Sequence, residues 1–175
     1  HFKGNDDNIY APVVRRQVRN HQISDAGHYT VYLPSYDDAE LIDKLSAFPE
    51  IRWDVFSKHN KKKIVLDNIT IQPINNLLFT ASMASSSGVL CGAGFETPAE
   101  ALYLGKKLLV IPMKNQYEQQ LNAAALKAMN VPVIKSLKPK WNPVISEWLQ
   151  SGKRVAVNYP DNTQEIIDRI VARHA

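Results

Sequence analysis

Cysteine occurs once in the 175 residues, at Cys91, so no intrachain disulfide can form and no cysteine-built metal site is available. A reducing compartment, the cytoplasm, is the expectation that follows. Apolar runs are short. None approaches the roughly eighteen consecutive residues of a membrane span, and His1-Phe-Lys-Gly-Asn-Asp-Asp7 lacks the apolar core of a signal peptide. The histidines, at 1, 21, 28, 59 and 174, show no ligand spacing, so a metal site is not expected. No internal repeat is visible. The chain also starts without a methionine, and a piece trimmed from something larger is the expectation.

Hydrophobic residues make up 45% of the chain, aromatics 9% and charged residues 22%, which suits one globular domain, or one and a tail. The net charge is +4 and the pI about 9.1. Its basic residues cluster only at Arg15-Arg16 with Arg19 and at Lys61-Lys62-Lys63, and neither cluster is interleaved with aromatics. A base-stacking surface needs that interleaving, so no nucleic-acid partner is expected. Lys61 to Lys63 reads as a solvated loop, while the basic balance suits anionic ligands or an anionic membrane face.

Residues Ala11 to Asn20 read as a connector. Strand patterns follow at Tyr29–Leu33, Ile51–Phe56, Ile69–Gln72, Gly88–Cys91, Leu108–Ile111 and Val131–Ile134. Helical patterns occupy Asp37–Phe48, Asn75–Ser85, Asn115–Met129, Pro143–Leu149 and Thr163–Arg173. In the Asn115–Met129 helix, Tyr117, Leu121, Ala124, Ala125 and Ala128 form the expected core face, with Asn130 as the stop. Alternation of apolar strands with helices predicts an α/β fold, a Rossmann-like parallel sheet with helices on both faces. Ligands then bind at the carboxyl ends of the strands.

The densest motif is Leu90-Cys-Gly-Ala-Gly-Phe-Glu-Thr-Pro-Ala-Glu-Ala-Leu-Tyr-Leu-Gly105, with Lys106-Lys-Leu-Leu-Val-Ile-Pro112 directly after it. It reads as strand, glycine turn, helix and strand. The dinucleotide fingerprint would require glycine at Thr97, and no Gly-Lys-Ser/Thr follows the turn, so neither standard phosphate loop is present. Gly92-Ala-Gly94 is either a backbone cradle for a phosphate at a helix N-terminus or a plain tight turn. Thr97-Pro-Ala-Glu100 spells a capping box, as Asn115-Gln-Tyr-Glu118 does more weakly, so both carboxylates have a structural explanation. Cys91 reads as a core thiol, and Ser82 to Ser87 lacks the Gly-x-Ser-x-Gly of a nucleophile elbow.

Joined to Glu118-Gln-Gln-Leu-Asn-Ala123, the motif resembles the donor-binding half of GT-B glycosyltransferases. Its likeness is greatest to the bacterial group that includes the peptidoglycan N-acetylglucosaminyltransferase. The resemblance runs loosely from the connector to about Val133. It implies backbone contacts to a donor diphosphate from Gly92, Ala93, Gly94, Phe95, Glu96 and Thr97. Glu100 would take the ribose hydroxyls, and Glu118 and Gln119 hydroxyls of the transferred sugar. Ser35 would face the phosphates, and the strand holding Ile71 would support the nucleobase. Plant and animal relatives carry histidine where Gly92 stands, a departure that points to the bacterial branch and to recognition by backbone alone.

The resemblance further implies a metal-independent transferase that takes a nucleotide sugar, a UDP-N-acetylhexosamine, and needs no cofactor. Residues 1–24 would be the interdomain connector or leader and residues 25–175 the nucleotide-sugar-binding domain. The acceptor domain, with the general base, would lie outside this chain, and the full protein would touch the inner face of the membrane. A free-standing binding subunit and an epimerase-like domain are the alternatives.

Overall fold

The computed structural model describes residues 9–174; the apolar-poor start, His1 to Asp7, lies outside them. Helix α1 (Arg16–Arg19) precedes β1 (His28–Tyr32), α2 (Asp38–Leu45), β2 (Arg52–Ser57), β3 (Ile64–Leu66) and β4 (Ile69–Pro73). Then follow α3 (Asn76–Ser85), β5 (Gly88–Gly92), α4 (Glu96–Tyr103), β6 (Lys107–Ile111) and α5 (Tyr117–Ala128). A 3-10 turn (Pro139–Trp141) leads into α6 (Asn142–Gln150), and α7 (Thr163–His174) ends the chain.

The strands lie in the order β3-β4-β2-β1-β5-β6. Every neighbouring pair is parallel except β3 with β4, a hairpin turning at Asp67, which adopts a positive φ of 42°. The lysine loop enters this hairpin. Strand β3 escaped the sequence reading because it is a sheet edge with no buried face: Ile64, Val65 and Leu66 are all exposed, so no period-two burial marks it. The expected strand at Val131–Ile134 is reduced to a single bridge, in which Val110 exchanges hydrogen bonds with Pro132 and Ile134 at 3.1 Å.

Because β1 sits between β2 and β5, the chain winds outward to one side and then restarts on the other. The switch point therefore falls between the carboxyl ends of β1 and β5, where an open α/β sheet leaves a crevice. Tyr32 pairs with Cys91 there, which sets the Leu33-Pro34-Ser35 loop beside Gly92.

Two apolar layers cover the sheet. On one face α1, α3, α4 and α5 bury Val18, Met83, Ala101 and Leu126, at 0% exposure, against Val89, Cys91 and Val110. On the other, α2 and α6 bury Leu41, Leu45, Ile145 and Trp148 against Val31, Val55 and Leu109. Cys91 is fully buried, and burial drives its thiol pKa well up, which suits the core reading. Ser82 likewise is structural: its hydroxyl is spent on Thr30, His28 and Asp54 within the α3 face.

The segment before β1 packs as part of this domain. Val14 and Val18 are 3% and 0% exposed, and the amides of Ser24 and Ala26 donate to the carbonyls of Ala84 and Ser85 at 3.1 and 2.8 Å. Arg19 stacks on the Tyr103 ring at 4.8 Å and reaches Pro160 O at 3.0 Å.

Candidate functional site

At the carboxyl end of β5 the buried run Val89-Leu90-Cys91 gives way to Gly92-Ala93-Gly94, and α4 begins at Glu96. A Cβ on Gly94 would meet nothing within 4 Å, so the space above this turn is open to a ligand. A Cβ on Gly92 would lie 3.5 Å from Gln119 Oε1, which places the first residues of α5 over the turn. Ala93 is fully buried and contributes only backbone.

The predicted capping box does not form. Phe95, in αR geometry with φ −80° and ψ −48°, is the N-cap residue, so the helix starts two residues before the expected Pro98. Thr97 falls inside the first turn, and no side chain caps the helix. Pro98 lacks an N–H, so the Glu96 and Thr97 amides are first-turn donors with no intrahelical partner. They lie at the start of α4, just past the carboxyl end of β5 that borders the switch point, with the positive end of the α4 dipole behind them.

Glu100 is 1% exposed. Instead of returning to the N-terminus, its carboxylate takes a bidentate pair from Arg15, Nε to Oε1 at 2.6 Å and Nη2 to Oε2 at 2.7 Å. That hydrogen bonding, together with the charge of Glu100, raises the guanidinium pKa further. A buried carboxylate requires a cation, and the fork geometry of arginine meets both oxygens at once. Sequence reasoning missed Arg15 because the partners lie 85 positions apart; the only hint was a glutamate among the small residues of a buried helix.

The second expected capping box fails as well. Asn115 has a positive φ of 61°, Gln116 is the N-cap residue, and no side chain caps α5. Glu118 sits exposed in the first turn. Gln119 instead accepts from Met113 N–H at 2.9 Å and donates to Gln116 Oε1 at 3.0 Å, which closes the loop after β6. Asn122, one turn on, donates to Ala93 O at 3.2 Å and clamps α5 to the glycine turn. These contacts set the rotation of α5. Its buried residues are Ala123, Ala125 and Leu126; of the face expected from periodicity only Ala125 is among them, while Tyr117 at 78% and Leu121 at 42% exposure point outward.

The remaining expected positions divide. Ser35 is exposed on the loop after β1, beside the crevice. Ile71 is fully buried in the core, so that strand can offer only backbone and the residues after it, Gln72, Pro73 and the exposed Ile74. Among the described residues no group of three or more His, Cys, Asp or Glu could hold a metal ion. No helix among them is long and apolar enough to cross a membrane.

The fold is similar to that of several glycosyltransferases. Spinosyn forosaminyltransferase SpnP aligns with a TM-score of 0.57 at 14% identity, over 93% of this chain and 46% of that one. Glycosyltransferase VinC in complex with dTDP aligns with a TM-score of 0.53 at 10% identity, over 79% of this chain and 37% of its own. The present chain thus spans less than half the length of either. The solution structure of ALG13 aligns with a TM-score of 0.52 at 12% identity, over 84% of this chain and 98% of that one. No curated protein sequence matches. Residues 2–150 match the family described as Glycosyl transferase family 1, most of the chain and all of the crevice, and the chain belongs to that family.

Proposed function

We propose that this chain is the nucleotide-sugar donor-binding domain of a metal-independent glycosyltransferase. The observation that carries the reading is the clamp at the switch point. Gln119 and Asn122 hold α5 over Gly92 and Ala93, so the glycine turn and the first turn of α5 form two walls of one crevice. Backbone amides of Gly94, Phe95, Glu96 and Thr97 meet the diphosphate on one wall; Glu118 and Gln119 meet sugar hydroxyls on the other. Ser35 closes the phosphate side, and the end of β4 after Ile71 supports the base. A preorganised set of amides stabilises the departing diphosphate electrostatically without a metal. Glu100 is held by Arg15 through both oxygens, and each oxygen keeps a second lone pair, through which it takes a ribose hydroxyl.

The donor is a UDP-N-acetylhexosamine, following the likeness to the bacterial cell-envelope group. Residues 1–24 are the interdomain connector or leader, its described part packed through Val14, Arg15 and Val18 onto the donor domain of residues 25–175. The acceptor domain lies on another part of the protein, at the cytoplasmic face of the membrane. Alone, the domain binds the donor without transferring it. Calorimetric titration with UDP-N-acetylglucosamine, UDP-glucose, dTDP-glucose and UDP tests this. UDP-N-acetylglucosamine is expected to bind most tightly; preference for dTDP-glucose would overturn the uridine assignment, and silence from all four would sink the reading. A second reading, a free-standing donor-binding subunit with a separate acceptor protein, is favoured by the length match to the solved ALG13 chain, 98% of which the alignment spans.

A further inference from the structure

On the sheet edge opposite the glycine turn, the ends of α4 and α5, the start of β6, α6 and the segment after it enclose a cavity of about 790 Å3. That volume lies within the range of small-molecule sites, about 300–1,000 Å3. Both helices end here in the same way. Gly105 and Asn130 take positive φ of 64° and 65°, and Lys106 N–H and Val131 N–H return to Ala101 O and Leu126 O at 2.9 and 3.0 Å. These Schellman turns consume helix-end carbonyls and leave the wall to side chains.

The floor is apolar: Leu102, Leu108 and Val131 are 2–4% exposed. The wall and rim are cationic, with Lys106, Lys127, Lys153 and Arg154 against one carboxylate, Glu147. Lys106 is held by Ser24 O at 2.6 Å, and Arg154 by Gly105 O at 3.2 Å and Asp25 at 3.5 Å. The ammonium groups of Lys127 and Lys153 have no acceptor among the described residues. Trp148, 3% exposed and part of the wall, keeps its indole N–H buried without an acceptor. Burial lowers the pKa of Lys106 and of neighbouring Lys107, with the charges of Asp25 and Arg154 acting on both in opposite directions.

The C-terminal ends of α4, α5 and α6 favour cations here, through Arg154 on Gly105 O, Lys127 in the last turn of α5 and Lys153 just past the C-cap of α6, yet the ammonium groups of Lys127 and Lys153 remain without an acceptor among the described residues. We infer that this cavity is a second ligand site, for an anionic amphiphile whose phosphate or carboxylate head rests on Lys127 and Lys153 and whose hydrocarbon body lies against the half-buried Met129, Val133, Val144 and Val155 of the lining, above Leu102, Leu108 and Val131. The site is separate from the donor crevice and does not depend on its assignment.

The test is calorimetric and NMR titration of the full chain with decyl phosphate below its micelle concentration. Decanoate, decyl maltoside and inorganic phosphate serve as comparison probes. Decyl phosphate is expected to bind saturably at one site and to shift the Trp148 indole signal. The double variant K127E/K153E, changed at two exposed positions, should bind it at least tenfold more weakly at an unchanged melting temperature. Decanoate binding equally assigns the head to any anion, and its failure narrows it to phosphate; either supports the site. The inference is overturned by decyl maltoside or inorganic phosphate binding as tightly as decyl phosphate, by an unaffected double variant, by displacement with UDP-N-acetylglucosamine, or by no saturable binding.

Discussion

The guanidinium of Arg15 closes both oxygens of Glu100, at 2.6 and 2.7 Å, across 85 residues of sequence. The pair ties the N-terminal segment to the helix whose first turn faces the donor crevice. Glu100 has almost no solvent, whereas the Arg15 side chain is about a third exposed, at 35%. Loss of the arginine therefore strands a buried charge. We expect Arg15→Gln to lower stability by about 2–3 kcal/mol in urea titration, with Arg15→Lys in between because it forfeits the bidentate fork. An unchanged midpoint for Arg15→Gln would show that water replaces the pair.

Gln119 satisfies Met113 N–H from the first turn of α5. Gln119→Ala is expected to cost about 1 kcal/mol of stability and to weaken donor binding more than stability alone explains. Gln119→Glu keeps the acceptor and should recover most of the stability. Binding and urea midpoints measured on the same variants separate the two effects; a variant that loses stability and keeps full donor affinity would confine Gln119 to a loop-closing role.

The rotation of α5 is open to a paired substitution. Leu121→Ser, on the outward face, should change stability by no more than about 0.5 kcal/mol, while Leu126→Ala, at 0% exposure, should cost about 2–5 kcal/mol. Comparable losses at both would restore the face inferred from periodicity.

Burial pushes the hydroxyl of Tyr159 from 10 up to about 12. A group whose folded pKa lies above its unfolded value favours the folded state fully below about pH 10, and that contribution disappears as pH rises through about 12. Tyr159→Phe should therefore retain a larger fraction of its pH 9 stability at pH 11.5 than the parent chain does. Urea midpoints at the two pH values check this, and parallel losses would contradict it.

Much of this architecture was legible in the sequence, for reasons tied to particular residues. Leu108 to Ile111, an unbroken apolar strand, announced a sheet covered on both faces, and Asn130 stopped α5 in the left-handed conformation expected of it. Local rules failed where distant partners set the geometry. Thr97 and Glu100 have capping-box spacing, but Arg15 drew the glutamate away. Tyr117, Leu121 and Ala128 have helical apolar spacing, but Gln119 and Asn122 turned them outward. The hairpin strand Ile64–Leu66 has no inner face to pattern. At the site, Gly92 to Gly94 were joined to Gln119 and Asn122 through the family resemblance, whereas the Arg15 pair and the Asn122 contact to Ala93 O became visible only in three dimensions.

If the glycine turn and the start of α5 are two walls of one nucleotide-sugar crevice, both respond to the same donor. NMR titration of the amides with UDP-N-acetylglucosamine tests it most directly. Saturable shifts that follow one binding curve are expected at Gly94, Thr97, Glu118 and Gln119, with Trp148 and Val131 on the opposite edge unmoved. Shifts confined to the Trp148 edge, or none at millimolar donor, would contradict it.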